Sequence, residues 1–278
     1  MTRIHDHPSP FQFCSLSSSS RYGNAYVVSS PSTHVLIDYG LSRRRLERYL
    51  KQKGISPDQI DAIFISHEHS DHSRALNIKS PFHVRHNISK LYSATNTWKH
   101  LGMTGVNPVV PGTLIKVGDM RITGIPKPHD AAEPLAFSIS HNEHKLGIIT
   151  DLGTITPAIV EHFRDANHLI IESNYDTDLQ NNSGRPWPFI KRITGEQGHL
   201  SNEEAGHLLQ QIASKNTENI LLAHLSLDCN TPDLALAAAQ ASLEHLGFKG
   251  QLRVAPPDQP SHWFGCSPIA PRSHILPS

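Results

Sequence analysis

Three short stretches of β-like patterning open the chain, at residues 11–16, 25–29 and 34–38, separated by Ser-rich and Gly-Asn turn signals. The apolar spacing then becomes helical: over 42–53, Leu46, Tyr49 and Leu50 fall on one face and Gly54 supplies a stop. Residues 62–65 read as a short buried strand. Residues 114–117 and 121–125 pair around Gly118-Asp119, and 135–140 and 145–150 pair across Asn142-Glu143. Beyond this point helix and strand alternate. Pro157 after Thr156 opens a helix to about Arg164, and 168–172 is a strand. Ser201 with Glu204 forms a capping box for a helix whose apolar face carries Ala205, Leu208, Leu209 and Ile212. Residues 219–225 are the next strand, and Thr231-Pro232 begins a helix that Gly247 ends. Strands first and helix–strand alternation second suit two sheets packed face to face with helices outside, an α/β four-layer αββα sandwich. Residues 1–254 form this domain, and 255–278 read as a loosely attached Pro/Ser-rich tail.

Composition narrows the class without naming a chemistry. The chain has 278 residues, 37% hydrophobic and 18% charged, as expected of a folded enzyme rather than a disordered segment. No run approaches the roughly 18 apolar residues of a membrane span, and residues 1–10 lack a signal-peptide pattern, so a cytoplasmic protein is expected. Cys14, Cys229 and Cys266 are odd in number and far apart, which argues for reduced thiols over a disulfide framework. With 25 basic and 25 acidic residues the formal charge is zero, which excludes a cationic nucleic-acid coat but leaves room for a local basic groove. Histidine is the outlier, at 20 residues. Such abundance makes chance matches to metal motifs easier, so spacing has to carry the argument.

The spacing is found in Ser66-His67-Glu68-His69-Ser70-Asp71-His72, three imidazoles and a carboxylate directly after a buried strand. His67 and His69, two apart, can converge on one ion while Asp71 and His72 face another. Imidazole and carboxylate suit Zn²⁺, with Mn²⁺ or Fe²⁺ as further possibilities. This loop resembles the ligand-bearing loop of the metallo-β-lactamase superfamily. The resemblance implies further ligands at His129 in Pro126-Lys127-Pro128-His129-Asp130, at Asp151 as a carboxylate shared by both ions, and at His224. Asp38 resembles the superfamily's early Asp that orients ligands. Oxygen-handling diiron relatives place Glu where His69 stands, and common lactamases use a Cys ligand. Cys229 lies near His224 but off that pattern and reads as a buried thiol, so hydrolysis is the implied reaction. Two dications, Asp71, Asp151 and a hydroxide leave a charge of about +1, which favours an anionic substrate such as a phosphodiester.

A second constellation, Gly198-His199-Leu200-Ser201-Asn202, places His199 before a capped helix whose free N–H groups can meet a phosphate. It resembles the Gly-His-Ala-Ser element of β-CASP nucleases, although the interval from Asp151 to His224 is too short for a whole β-CASP domain. Together with Cys14-Ser15-Leu16, Gly23-Asn24, Leu36-Ile37-Asp38 and Glu172-Ser173-Asn174, it resembles the YycJ/WalJ-type branch of metallo-β-lactamase-fold proteins over about residues 12–230. That resemblance implies a 5′→3′ exonuclease-like phosphodiesterase acting on DNA, with Asp71 and His199 as catalytic groups. Asn174, Lys191, Arg192, His199 and Ser201 are the expected substrate contacts. The stretch from Arg185 through Trp187 and Phe189 to Arg192 reads either as cations and aromatics gripping a nucleic-acid strand or as a solvated Pro-rich loop. Ser17 to Ser20 with Arg21 reads as a polar loop at the mouth of the site or as a flexible turn. Two other functions stay open at this level: a hydrolase of a thioester, lactone or cyclic nucleotide, and a metal-stabilised regulatory protein with little turnover.

Overall fold

The computed structural model describes residues 11–76 and 88–265. The first sheet holds β1 (Gln12–Ser17), β2 (Ala25–Ser29), β3 (His34–Ile37), β4 (Ala62–Phe64), β5 (Leu91–Ser93) and β6 (Asn107–Pro108). The second holds β7 (Leu114–Val117), β8 (Met120–Pro126), β9 (Leu135–His141), β10 (His144–Ile149), β11 (His168–Glu172), β12 (Asn219–Ala223) and β13 (Gln251–Val254). A last strand, β14 (Phe264–Gly265), returns to pair with β1 at the edge of the first sheet. In each sheet an antiparallel meander gives way to parallel strands: β3 to β6 run parallel in one, β10 to β13 in the other. The central parallel strands β11 and β12 are nearly continuous apolar runs, buried on both faces.

Three apolar layers match the αββα expectation. Phe13, Tyr26, Ile37 and Phe64 of the first sheet meet Ile122, Phe137, Ile148 and Leu221 of the second in the central layer. The helix Arg43–Gln52 covers the first sheet through Leu46, Tyr49 and Leu50. The helices Pro157–Phe163, Asn202–Ile212 and Pro232–Leu243 cover the second through Ile159, Leu208, Leu209 and Ala235. The capping box is formed: the Ser201 hydroxyl accepts from Glu204 N–H at 3.1 Å, and the Glu204 carboxylate accepts from Ser201 N–H at 2.8 Å. Among the described residues no helix is long and apolar enough to cross a membrane.

Two local expectations are corrected. Trp187–Thr194 is a helix and not a Pro-rich loop; Pro186 and Pro188 occupy its cap and first turn, where a missing N–H costs nothing, and Ile190 anchors it. Residues 255–265 are not a loose tail. Ala255 and Ser261 are buried, the Ser261 hydroxyl accepts from Ser15 N–H at 3.0 Å, and β14 continues the sheet. The rest of that expected tail, with Cys266, lies outside the described residues, as do residues 1–10. Cys14 and Cys229 are buried and unpaired.

Candidate metal centre

Parallel strands place their C-terminal ends along one rim, where side chains from separate strands can converge. Asp38 follows β3, the 66–72 loop follows β4, Asp151 follows β10, and His224 follows β12. Asp38, Asp151 and His224 have positive φ, at 62°, 54° and 57°. A non-glycine residue in this left-handed region is strained, by about 1–3 kcal/mol, and persists only where its surroundings hold it. Three such residues at one rim mark a shaped site. Ser66 N–H donates to Asp38 Oδ1 at 2.7 Å, which fixes the start of the histidine loop, and the short helix Ser70–Ser73 turns Asp71 and His72 inward.

The imidazoles are held by their outer nitrogens. His67 Nδ1 lies 2.9 Å from Ser66 Oγ, His72 Nδ1 2.7 Å from Asp38 Oδ2, His129 Nδ1 3.1 Å from Gly198 O, and His224 Nδ1 2.8 Å from Glu172 Oε1. Anchoring one ring nitrogen leaves the other as a lone-pair donor, the usual arrangement behind a metal-binding histidine. The inner atoms fall into two groups that share Asp151. His69 Nδ1 is 3.1 Å from His67 Nε2 and 3.3 Å from His129 Nε2. Asp71 Oδ2 is 3.4 Å from His72 Nε2 and 3.6 Å from His224 Nε2. Asp151 reaches both: Oδ2 is 3.3 Å from His72 Nε2, and Oδ1 is 3.9 Å from His129 Nε2. Ligands about 2.0–2.1 Å from a tetrahedral ion stand about 3.4 Å apart, close to these separations. Asp151 Oδ2 and His224 Nε2 are buried without a hydrogen-bond partner. Buried polar atoms left in that state are costly, and a cation would complete both by taking the place of the His224 proton, so the donor set fits divalent metal ions.

Electrostatics divides the same groups. Burial, aided by His72, pushes His67 well below the ordinary histidine pKa, and burial takes His129 down to about 4. For His224, burial is outweighed by Asp151, Asp71 and Glu172, which raise it to about 10. His72 is likewise raised well above its ordinary value against burial, by Asp151, Asp38 and Asp71. Against the effect of burial, the imidazoles hold Asp71 and Asp151 well below the usual carboxylate range. Without metal, protons on His72 and His224 supply the positive charge that the carboxylates demand.

Glu172 is the central residue to which sequence reasoning gave no role beyond its place in the Glu172-Ser173-Asn174 match. Its fully buried carboxylate accepts from Asp151 N–H (3.1 Å), Leu152 N–H (3.0 Å) and Leu200 N–H (3.0 Å), and meets His199 Nδ1 (2.9 Å) and His224 Nδ1 (2.8 Å). One side chain thus fixes the backbone of Asp151 and the rings of His224 and His199. Burial opposes the charge, but His199 and His224 bring Glu172 down to about 2. The signal available in the sequence was a carboxylate ending the apolar run of β11. Asn24 was matched only as part of a motif. It donates to Asp71 Oδ2 at 3.1 Å and lies 3.0 Å from His72 Nε2. The buried Lys127 ammonium donates to Thr150 O and stands 3.9 Å from Asp151 Oδ2.

A cleft of about 320 Å³ opens over the cluster, lined by His69, Asp71, Asp151, His199 and His224 on the metal side. Of the expected substrate contacts, His199, Asn174 and Arg192 line it. Arg192 is also paired with Asp130 at 2.6 Å. Lys191 is exposed away from the cleft lining, and Ser201 is buried with its hydroxyl committed to the helix cap, so neither is brought to the site.

Comparison with known proteins agrees with this architecture. A family model described as a β-lactamase superfamily domain matches residues 33–225. The chain is 31% identical over 241 residues to exodeoxyribonuclease YycJ of Bacillus anthracis, covering 84% of this chain and 90% of the relative. It is 28% identical to exodeoxyribonuclease WalJ of Streptococcus pneumoniae, over 81% of this chain and 85% of that one. Among solved structures, the metallo-β-lactamase-fold protein YhfI of Bacillus subtilis superposes with a TM-score of 0.68 at 18% identity, covering 91% of this chain and 98% of that chain. The chain belongs to the metallo-β-lactamase-fold superfamily and is a metal-dependent hydrolase.

Proposed function

We propose that the protein is a phosphodiesterase acting on DNA, with 5′→3′ exonuclease-like action. The reading is supported chiefly by near full-length similarity to two proteins named exodeoxyribonucleases, in a chain whose metal-side cluster faces a polar cleft. His67, His69 and His129 would hold one divalent ion and Asp71, His72 and His224 a second, and Asp151, within 3.3 Å of His72 and 3.9 Å of His129, would serve both. The nitrogen-rich donor set favours zinc over manganese or iron. Such ions supply Lewis acidity toward a phosphoryl oxygen and acidify water near neutral pH.

The protein's own groups do the positioning. Asp71, held ionised, lines the cleft and accepts a hydrogen bond from the attacking water. His199 is gripped through Nδ1 by Glu172, which leaves Nε2 to carry a proton toward the leaving oxygen. Glu172 and Asp38 keep the ligand rings in register. Metal-loaded protein should hydrolyse bis(p-nitrophenyl) phosphate and release nucleotides from end-labelled duplex DNA. Hydrolysis of the small diester with DNA left intact would instead support a small-molecule hydrolase.

A further inference from the structure

The cleft has a second wall that the chemistry above does not use. Arg21, from the loop after β1, and Arg185, from the segment before the Trp187–Thr194 helix, both reach Asp228 on the loop after β12. Arg185 Nη2 lies 2.7 Å from Asp228 Oδ2, and Arg21 Nη2 lies 3.2 Å from Oδ1 and 3.3 Å from Oδ2. The Arg185 guanidinium also sits 5.3 Å above the Phe189 ring, a cation–π contact that limits where it can point. All four side chains line the cleft that holds Asp71, Asp151, His199 and His224.

Two cations on one half-exposed carboxylate leave a net positive charge. Surface ion pairs contribute little to stability, about 0–1 kcal/mol, so convergence from three separate loops is not explained by folding. Planar guanidinium forks match the two free oxygens of a phosphodiester as well as those of a carboxylate. Asp228 is four residues past His224, a reach of at most about 14 Å, so a strand with one phosphate at the metal side can present another here. We propose that Arg21 and Arg185 bind a phosphate of the nucleic-acid strand next to the scissile one, and that this phosphate displaces Asp228, which holds the two arginines ready in its place. The inference rests on the phosphodiesterase reading above and adds to it a subsite that ranks polyphosphate strands above small diesters.

The test uses metal-loaded full-length protein, bis(p-nitrophenyl) phosphate, a single-stranded oligodeoxynucleotide and duplex DNA. The double variant Arg21→Gln/Arg185→Gln should lower the ratio of oligonucleotide to small-diester kcat/KM by about 10–100-fold, mainly through KM, with metal content retained. The salt dependence of log KM should weaken by about 0.7, the loss of one phosphate contact on a single strand. Asp228→Asn should not raise KM, because the phosphate no longer has a competitor. An unchanged ratio and salt slope in the double variant would overturn the subsite while leaving the nuclease reading standing. An increase in KM for Asp228→Asn equal to that of the double variant would make Asp228 an anchor and overturn the displacement. Wild-type protein that hydrolyses the small diester but leaves both the oligonucleotide and duplex DNA intact would remove the nuclease reading, and the subsite with it.

Discussion

His199 is the cleft residue whose placement separates metal binding from proton transfer. Its Nδ1 is committed to Glu172, and its ring centroid lies 5.2 Å from that of His129 and 5.3 Å from that of His224. His199→Ala should keep both metals and the fold, yet lose phosphodiester turnover by about 10²–10⁴-fold, the usual contribution of a general acid. Metal analysis and a diester assay on the same variant check this; loss of metal would make His199 a ligand and reopen the assignment of His129 or His224. Glu172 poses the complementary question. Glutamine keeps its shape but replaces an acceptor oxygen with an N–H₂ group facing donors, leaving at least one buried donor unpaired. Glu172→Gln should weaken metal affinity by about 10–100-fold, measured by competition with a chelator, while the far-UV spectrum is unchanged. Unaltered affinity would show that the rings of His224 and the backbone of Asp151 are held without it.

At the scale of elements, the site depends on how closely loops from different strands approach. Gly40, after β3, leaves no room for a side chain: a Cβ there would stand 1.5 Å from Asp71 O, and Gly40 N–H donates to Asn24 O at 3.0 Å. Gly40→Ala must push the Asp71 loop outward, costing about 1–3 kcal/mol as overpacking does. It should also lower occupancy of the Asp71, His72 and His224 group more than that of the other. Thermal denaturation and metal counting of the variant report the two effects, and an unshifted Tm with full occupancy would contradict the packing argument. Gly40 also illustrates what a single sequence conceals. The 66–72 loop and the capped helix after His199 were readable because each has a local signature, whereas Asp38, Asp151 and His224 were reached only through the family resemblance. The role of Glu172 was not readable, since its bonding partners come from three distant segments and nothing in Glu172-Ser173-Asn174 announces them. The Trp187–Thr194 helix was obscured by two prolines whose placement at its start is harmless. The β14 strand is two residues long and owes its existence to β1, so no periodicity could reveal it.

For the whole molecule, the buried histidines tie stability to pH. In the metal-free protein, His72 and His224 are raised above the ordinary value of about 6.5, so their contribution is complete below that pH. It is lost as the pH climbs toward the His224 value of about 10. His67 and His129 are lowered, so theirs is complete above about 6.5 and is lost as pH falls toward the His129 value of about 4. The Tm of demetallated protein should therefore peak near pH 6.5 and decline on both sides. Metal binding displaces the protons on His72 and His224, so the alkaline decline should disappear in loaded protein. A metal-free Tm that rises steadily from pH 6.5 to 9 would contradict the assignment of protons to these two rings.

The most direct test of a two-ion phosphodiesterase is a titration of demetallated protein with zinc, following release of label from 5′-end-labelled duplex DNA. The proposed assignment, with Asp151 serving two ligand groups, predicts that release rises to a plateau at about two equivalents per chain. Asp151→Ala, which leaves two dications to repel each other, should neither retain two ions nor release label. A plateau at one equivalent, or intact DNA in fully loaded protein, would contradict the account.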